Sequence, residues 1–451
     1  MPSETATLRK SVPRIVFINR YFYPDHSATS QMLSDLAFFL AGAGHEVCVV
    51  TSCQRYDDAA AGLALRERID GVEVHRVRTT RFGRDNLLGR AADYASFYLA
   101  AGWRLRRIAR AGDVIVAKTD PPLISVVAAL VARRRGARLV NWVQDVFPEV
   151  AEALGVRALK GPQAGLLRSL RNGAFRSAAA NVVLSEGMAE VVARESAQIV
   201  RESPKGTSFR ARARSDNTGV VGASLRANSA SGGLAERIRV IPNWADMEAI
   251  RPVAAANNPL RREWGLEGKF VACYSGNMGR AHEFDTILGA AERLAGKAET
   301  IAFQFIGGGA QRGMLEDEVR RKGLPNVQFR PYQDRAGLSF SLGVGDVHLV
   351  SQRPEVEGYV FPSKLYGILA AGRPLVFIGD REGEISLLAK REGIGVAVRE
   401  GDAAGLAAEL LRIAGDAALR EAMGARARAL LCERYDKRIA FKAWMELLRE
   451  L

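Results

Sequence analysis

Residues 355–378 read EVEGYVFPSKLYGILAAGRPLVFI, and within that span the pattern passes from loop to helix to strand. Ser363 is of the type that caps a helix, and Leu365, Ile368 and Leu369 recur behind it at helical spacing. Gly372 and Pro374 stop the helix, and 375–378 is an apolar run of buried-strand length. The unpaired amides and the positive dipole end of such a helix favour an anion, and Lys364 in the first turn adds a full charge. A capping serine before a lysine also opens ordinary surface helices, so context decides. Upstream, Gly307, Gly308 and Gly309 follow the apolar run 301–306 and open another helical pattern. That is the strand, glycine turn and helix order of a nucleotide-binding half-domain, although three glycines also make a simple tight turn.

The same grammar runs outward in both directions. Strand-like runs at 269–274, 301–306, 327–330, 347–351, 375–378 and 395–398 alternate with helical stretches, which predicts a parallel sheet covered on both faces. The first half repeats the pattern at 14–19, 45–50, 72–77, 113–117, 138–143, 181–184 and 237–242. The expected fold is α/β: two doubly wound, Rossmann-like domains facing a cleft. Their boundaries are set at 1–243 and 244–430, with 431–451 a closing helix that returns to the first domain. Residues 197–233, rich in Ser, Gly and Arg without periodicity, read as a flexible insertion.

Length and composition agree with two globular domains: 451 residues, 48% apolar and 25% charged. The longest apolar run, 121–132, is too short to cross a bilayer and reads as a buried helix; residues 1–14 lack the apolar core of a signal peptide. A cytoplasmic protein is therefore expected. Four cysteines show no zinc spacing, and no Asp-x-Asp, Walker or Gly-x-Ser-x-Gly motif is present. The net charge of +14 is uneven: residues 1–250 hold 35 Lys and Arg against 24 Asp and Glu. A basic first half fits an anionic partner, and without nucleic-acid-binding motifs an anionic membrane surface ranks above nucleic acid. Segment 159–176, LKGPQAGLLRSLRNGAFR, offers Leu166, Leu167, Leu170 and Phe175 for lipid and Lys160, Arg168, Arg171 and Arg176 for phosphate; packing onto its own domain is the alternative.

Ligands of doubly wound sheets bind beyond the carboxyl ends of the strands. In the first domain those loops carry Tyr23, Asp25, His26 and Ser27, then Lys118, Thr119 and Asp120, then Gln144, Asp145 and Glu149. Asp145 is placed to orient an acceptor or take a proton, or else simply caps a turn.

Several of these segments together resemble the retaining nucleotide-sugar glycosyltransferases of family 4, with the GT-B fold. They are GHEVCVVTS, VIPNWAD, YSGNMGRAHEF, FIGGGAQRGMLE and FPSKLYGILAAGRP, to which INRYFYPD and QDVFPE add similarity to the bacterial enzymes of O-antigen, capsule and colanic-acid-type polysaccharides. The resemblance implies transfer from a nucleotide-sugar, commonly UDP-activated, to a polyprenyl-diphosphate-linked acceptor at the inner face of the cytoplasmic membrane, with no metal or other cofactor. By that resemblance Ser275, Gly276, Asn277, Arg280, His282, Ser363 and Lys364 face the donor diphosphate, and Gly307, Gly308, Pro331 and Tyr332 hold base and ribose. The paired glutamates of the family fall on Tyr359 and Gly367, so Glu357 takes the place beside the sugar and Glu384 is the candidate replacement at the ribose. Gln144 stands next to the position of the family's catalytic-loop histidine. The implied catalytic set is Glu357, Asp145, Lys364 and Arg280, with Tyr23, Asp25, His26 and Ser27 on the acceptor side. A nucleotide-sugar epimerase of the same fold and a basic lipid-binding or nucleic-acid-binding protein remain as alternatives.

Overall fold

The computed structural model describes residues 13–25, 27–56, 58, 61–82, 87–156, 161–198 and 233–451. His26, Lys160 and the expected insertion from 199 to 232 lie outside the described residues. The chain divides into two compact units. One holds the described residues up to Pro148, Gly161–Ile241 and Phe441–Leu451; the other holds those of 149–160 and Pro242–Ala440. The short helix Glu149–Ala153 thus groups with the second unit, although it lies within the first half of the sequence.

Eight strands form the sheet of the first unit: β1 (Ile15–Ile18), β2 (Val47–Ser52), β3 (Arg66–Ile69), β4 (Val72–Val77), β5 (Val114–Lys118), β6 (Arg138–Trp142), β7 (Ala180–Val183) and β8 (Ile238–Val240). They lie in the order β3-β4-β2-β1-β5-β6-β7-β8, so the winding direction reverses between β1 and β5. Every neighbouring pair is parallel except β3 with β4. β1, β2, β5 and β7 are buried along their whole length, as a parallel sheet covered on both faces requires. β3 has no counterpart among the apolar runs. Its sequence RERI carries no continuous apolar signal, and charge at a sheet margin discourages pairing with another chain.

Helices cover this sheet. The apolar run at 121–132 appears as the helix Ile124–Arg135, whose Ile124, Ala128 and Ala132 are buried. It crosses the helix Leu87–Ile108 so closely that a Cβ on Gly102 would stand 2.8 Å from Val127 Cγ1. Segment 159–176 is the helix Pro162–Ser177, but not the lipid-facing one expected. Phe175 and Arg171 are 1% and 3% exposed, so they are used inside the protein, and only Leu166 and Leu170 of the named leucines stand well exposed.

The second unit repeats the architecture with β9 (Phe270–Ser275), β10 (Ile301–Ile306), β11 (Val327–Arg330), β12 (Val347–Ser351), β13 (Leu375–Gly379) and β14 (Gly395–Arg399). The order β11-β10-β9-β12-β13-β14, parallel throughout, is the 3-2-1-4-5-6 order of dinucleotide-binding sheets. Tyr274, Phe284, Phe303 and Phe305 are buried in its core, and Phe305 stacks on Phe329 at 5.0 Å.

The last helix, Lys437–Glu450, supplies Trp444 to the first unit, where its ring sits 4.8 Å from that of Trp142 and Phe441 stacks on Phe39 at 4.5 Å. Both tryptophans are fully buried. Removing a buried aromatic costs its transfer energy and leaves a cavity. Trp444→Ala is expected to destabilise the first unit by about 3–5 kcal/mol, read as a lower urea midpoint for the loss of far-UV circular dichroism; an unchanged midpoint contradicts this packing role.

Candidate functional site

In the second unit the strand order reverses between β9 and β12, and the loops that leave these strands carry most of the expected donor residues. Gly276 follows β9 and Gly307 follows β10. Their backbones meet so closely that a Cβ on Gly307 would lie 2.2 Å from the Gly276 carbonyl oxygen, and Gly307 has φ 131°. Gly309, at φ 135°, is equally crowded: a Cβ there would lie 2.4 Å from Asn277 Oδ1. Met278 N–H donates to Gly308 O at 2.7 Å. The three glycines therefore do more than turn the chain; they admit the loop after β9 into the loop after β10. Tyr332 lies across them, its ring 3.2 Å from where a Gly308 Cβ would be, and both Pro331 and Tyr332 are exposed. Gln311, which sequence reasoning passed over, ties the loop from the other side by donating to Gly279 O (2.6 Å) and His282 O (3.1 Å).

The stem of Lys364 runs along Gly276, where an added Cβ would stand 2.9 Å from Lys364 Cε. Its Nζ lies 2.9 Å from His282 Nε2 and 5.0 Å from the Tyr274 ring centroid. On the far side of the imidazole, Nδ1 is 2.5 Å from the carbonyl oxygen of Ser351, the last residue of β12. A carbonyl only accepts, so Nδ1 carries the proton and Nε2 presents a lone pair to the lysine. Burial, then the neighbouring Lys364 charge, push His282 down to about 3, so the ring is neutral at physiological pH. His282 therefore adds no positive charge against a diphosphate; it positions the residue that does. Burial pushes Lys364 itself down to about 7.

Ser363 does not cap the helix Lys364–Ala370: it is exposed, already helical in backbone conformation, and its side chain makes no capping bond. Asn277 and Arg280 are exposed on the loop after β9, while Ser275 and Gly276 are partly covered. Glu357 Oε1 accepts from the backbone N–H of Glu384 at 2.9 Å, which places its carboxylate at the start of the helix Glu384–Glu392. A side chain on Gly383 would strike it, with Cβ 3.0 Å from Glu357 Cδ. Burial raises the Glu357 carboxyl; the Glu384 amide opposes this.

In the first unit the reversal falls between β1 and β5. Asp120 O accepts from Arg20 N–H at 2.8 Å and Asp120 Oδ2 from Thr29 Oγ1 at 2.7 Å, joining the loops at the two strand ends. Asp25 is buried and accepts from Ser27 N–H (2.8 Å), Ser27 Oγ (2.5 Å) and Tyr56 N–H, so it ties its own loop together; Tyr23 beside it is exposed. Asp145 keeps an open face, yet the protein crowded around it and the Asp120 carboxylate push its carboxyl up to about 6. Lys118 is fully buried, its Nζ 3.3 Å from the Trp142 ring centroid and, with the Gln144 amide suitably oriented, 3.3 Å from the oxygen of that amide. The fold also brings Cys48, Glu73 and His75 together, a grouping that sequence spacing does not show. Arg66 takes Glu73 at 2.6 Å and burial pushes the Cys48 thiol up to about 12, both of which oppose a metal there.

Residues 28–202 match the glycosyl transferase 4-like domain, and residues 257–430 match glycosyl transferases group 1. The chain is 27% identical over 387 residues to WcaI of Escherichia coli K12, a glycosyl transferase assigned to colanic acid biosynthesis, covering 84% of this chain and 86% of that one. It is 30% identical over 298 residues to WbjE of Pseudomonas aeruginosa, named a glycosyltransferase, covering 65% and 64%. Among solved structures, Anabaena HepE in complex with UDP-glucose shares the fold at TM-score 0.65 and 16% identity, covering 97% of this chain and 100% of that one. With a glycosyl transferase 4-like domain ahead of a group 1 domain, on two parallel α/β units, the chain belongs to the GT-B glycosyltransferases.

Proposed function

We propose that this glycosyltransferase moves a sugar from a UDP-activated donor to a polyprenyl-diphosphate-linked saccharide during assembly of a bacterial surface polysaccharide, with retention of anomeric configuration. The observation that carries the reading is the chain from Ser351 O through His282 to Lys364, set beside the apposed Gly276 and Gly307. It gives a lysine a fixed place at a strand-order reversal, where doubly wound sheets bind their ligands. The assignment of WcaI to colanic acid biosynthesis supports the acceptor class, and the UDP-glucose bound to HepE supports the donor class.

In this reading the amides and side chains of Ser275, Gly276 and Asn277, the Ser363 hydroxyl, Arg280 and Lys364 receive the donor diphosphate. They stabilise the charge that grows on it as the anomeric bond breaks. Gly307, Gly308, Pro331 and Tyr332 hold the nucleoside, Glu357 lies toward the sugar, and Glu384 toward the ribose. Arg280 and Lys364 supply the counter-charge, so no divalent metal is required. On the acceptor side Tyr23 and Ser27 shape the approach, and Asp145 orients the acceptor hydroxyl and takes its proton. An epimerase needs acid and base groups around the donor, and His282, neutral with both nitrogens engaged, does not serve as one.

Lys364 is charged below about 7 in the free enzyme and binds a diphosphate only in that form, so kcat/KM for the donor falls as pH rises through about 7. Asp145 accepts a proton only above about 6, which gives the rising limb. Lys364→Met is expected to lower kcat/KM by roughly 10²–10³ and to abolish the falling limb. Lys364→Arg, always charged, moves that limb beyond the accessible range; Asp145→Asn removes the rising limb. A falling limb that persists in Lys364→Arg would exclude this lysine as its source.

The donor class is tested by thermal melting with UDP, GDP, TDP, CMP and ADP, with and without a chelator. UDP alone is expected to raise the midpoint, equally in both conditions; a saturating ligand at a hundred times its Kd adds about 2.7 kcal/mol. No shift with any nucleotide, or a shift that needs metal, contradicts the proposed site.

A further inference from the structure

A helix at the surface of a domain ordinarily turns its apolar residues inward and its charged residues to water. The helix Leu87–Ile108 departs from this on its outer side. It buries Phe97, Ala101 and Leu105, yet Leu88, Leu99 and Trp103 are 79%, 76% and 53% exposed. With the exposed Ala91 and Ala95 they fall at steps of three or four residues, so they form one apolar row along the outside. The single acidic residue of the helix, Asp93, is 3% exposed and accepts from Thr80 Oγ1 at 2.7 Å, so no carboxylate of this helix interrupts the row.

At its far end the row passes into arginine. Arg106 and Arg107 are exposed in the last turn, the Arg107 guanidinium lies 3.8 Å over the Trp103 ring, and Arg135 reaches across to donate to Arg106 O at 2.8 Å. Arg133 and Arg134 stand exposed beside it. A groove of about 530 Å³ adjoins the row, with Leu65, Val77, Leu99 and Trp103 in its lining and Arg78 and Arg104 at hand. Apolar side chains graded into guanidinium groups match the two layers of a bilayer surface, acyl boundary and anionic headgroup.

We propose that the outer face of the helix Leu87–Ile108 is the surface by which this protein docks on an anionic lipid bilayer. Leu88, Leu99 and Trp103 enter the acyl boundary, and Arg106 and Arg107 pair with lipid phosphates. In its use this rests on the reading of a lipid-linked acceptor, since such a substrate must be met at a membrane; in its evidence it rests on the helix surface.

Trp103 makes the test direct. The other four tryptophans, Trp142, Trp244, Trp264 and Trp444, are buried, so a blue shift of intrinsic fluorescence on adding lipid reports this helix. The purified full-length chain, without donor or acceptor, is titrated with phosphatidylglycerol-containing vesicles and with pure phosphatidylcholine vesicles. Binding and a blue shift are expected with the former, weakening in high salt. Leu99→Glu/Trp103→Glu and Arg106→Glu/Arg107→Glu are each expected to weaken sedimentation with vesicles at least about tenfold. Trp103→Phe loses the spectral signal but keeps binding. Leu166→Glu/Leu170→Glu, on another exposed helix of the same unit, binds as the parent does; unchanged far-UV circular dichroism shows that each variant is folded. The proposal is overturned if the parent does not bind, if Leu99→Glu/Trp103→Glu still binds, or if that variant instead abolishes a lipid-free self-association seen by sedimentation, which would assign the face to a second copy. UDP binding measured in parallel separates this outcome from failure of the enzymatic reading.

Discussion

A single carbonyl oxygen constrains the donor side of this protein. Ser351 ends β12, and its C=O, with no proton to give, compels His282 to protonate Nδ1 and to turn a bare Nε2 toward Lys364. His282, on the loop after β9, and Ser351, at the end of β12, flank the strand-order reversal, which the sheet brings together although 69 residues separate them. The lysine comes from the first turn of the helix Lys364–Ala370, 82 residues beyond the histidine. What keeps the arrangement compact is the absence of side chains at Gly307 and Gly309, where backbones approach within distances that no Cβ would tolerate, and at Gly276, along which the Lys364 stem runs.

The parts of this that were legible in the sequence are those encoded by neighbours. All six strands of the second unit are strand-like runs of four to six residues, most of them apolar, and their alternation with helical stretches predicts the parallel fold. β3 was not legible, because at a sheet margin charge replaces apolar periodicity. Ser363 looks like a cap because its residue type and position fit one, yet its backbone is already helical and its side chain makes no capping bond. His282 is expected at the diphosphate from its position alone, with Arg280 and Lys364 as the cations. Its neutrality follows from burial and from two partners distant in sequence, neither of which a local pattern records. Gln311 was missed for the same reason: a polar residue at the start of a helix shows nothing, from its neighbours alone, of the carbonyls it reaches.

The two amphipathic segments of the first unit teach a related point about helices. Both 162–177 and 87–108 mix leucine with arginine, and composition favours the former. Which residues meet water depends on where the sheet lies. In the former, Phe175 and Arg171 are drawn into the protein, so the phosphate-facing set was divided by the fold. In the latter the inward face is satisfied by Phe97, Ala101 and Leu105, which leaves Leu99 and Trp103 largely exposed on the outer side.

A neutral histidine beside the lysine is also the arrangement that electrostatics requires. Two full charges 2.9 Å apart at an effective dielectric of about 20 would repel by roughly 6 kcal/mol. A protonated His282 would therefore expel the Lys364 ammonium from its place, whereas an imidazole lone pair holds it. The same burial that neutralises the histidine brings the lysine near its own titration point, so of the two cations only Lys364 is adjustable in the free site. An arriving diphosphate reverses this, because an adjacent anion raises the affinity of an amine for its proton. Binding then charges the lysine as the donor settles, and full counter-charge is present only when there is a phosphate to receive it. A site built from two permanently charged groups would have to hold them apart in the empty protein. Here Arg280 keeps its charge on the exposed loop after β9, and Lys364 draws its proton from solvent as the ligand binds.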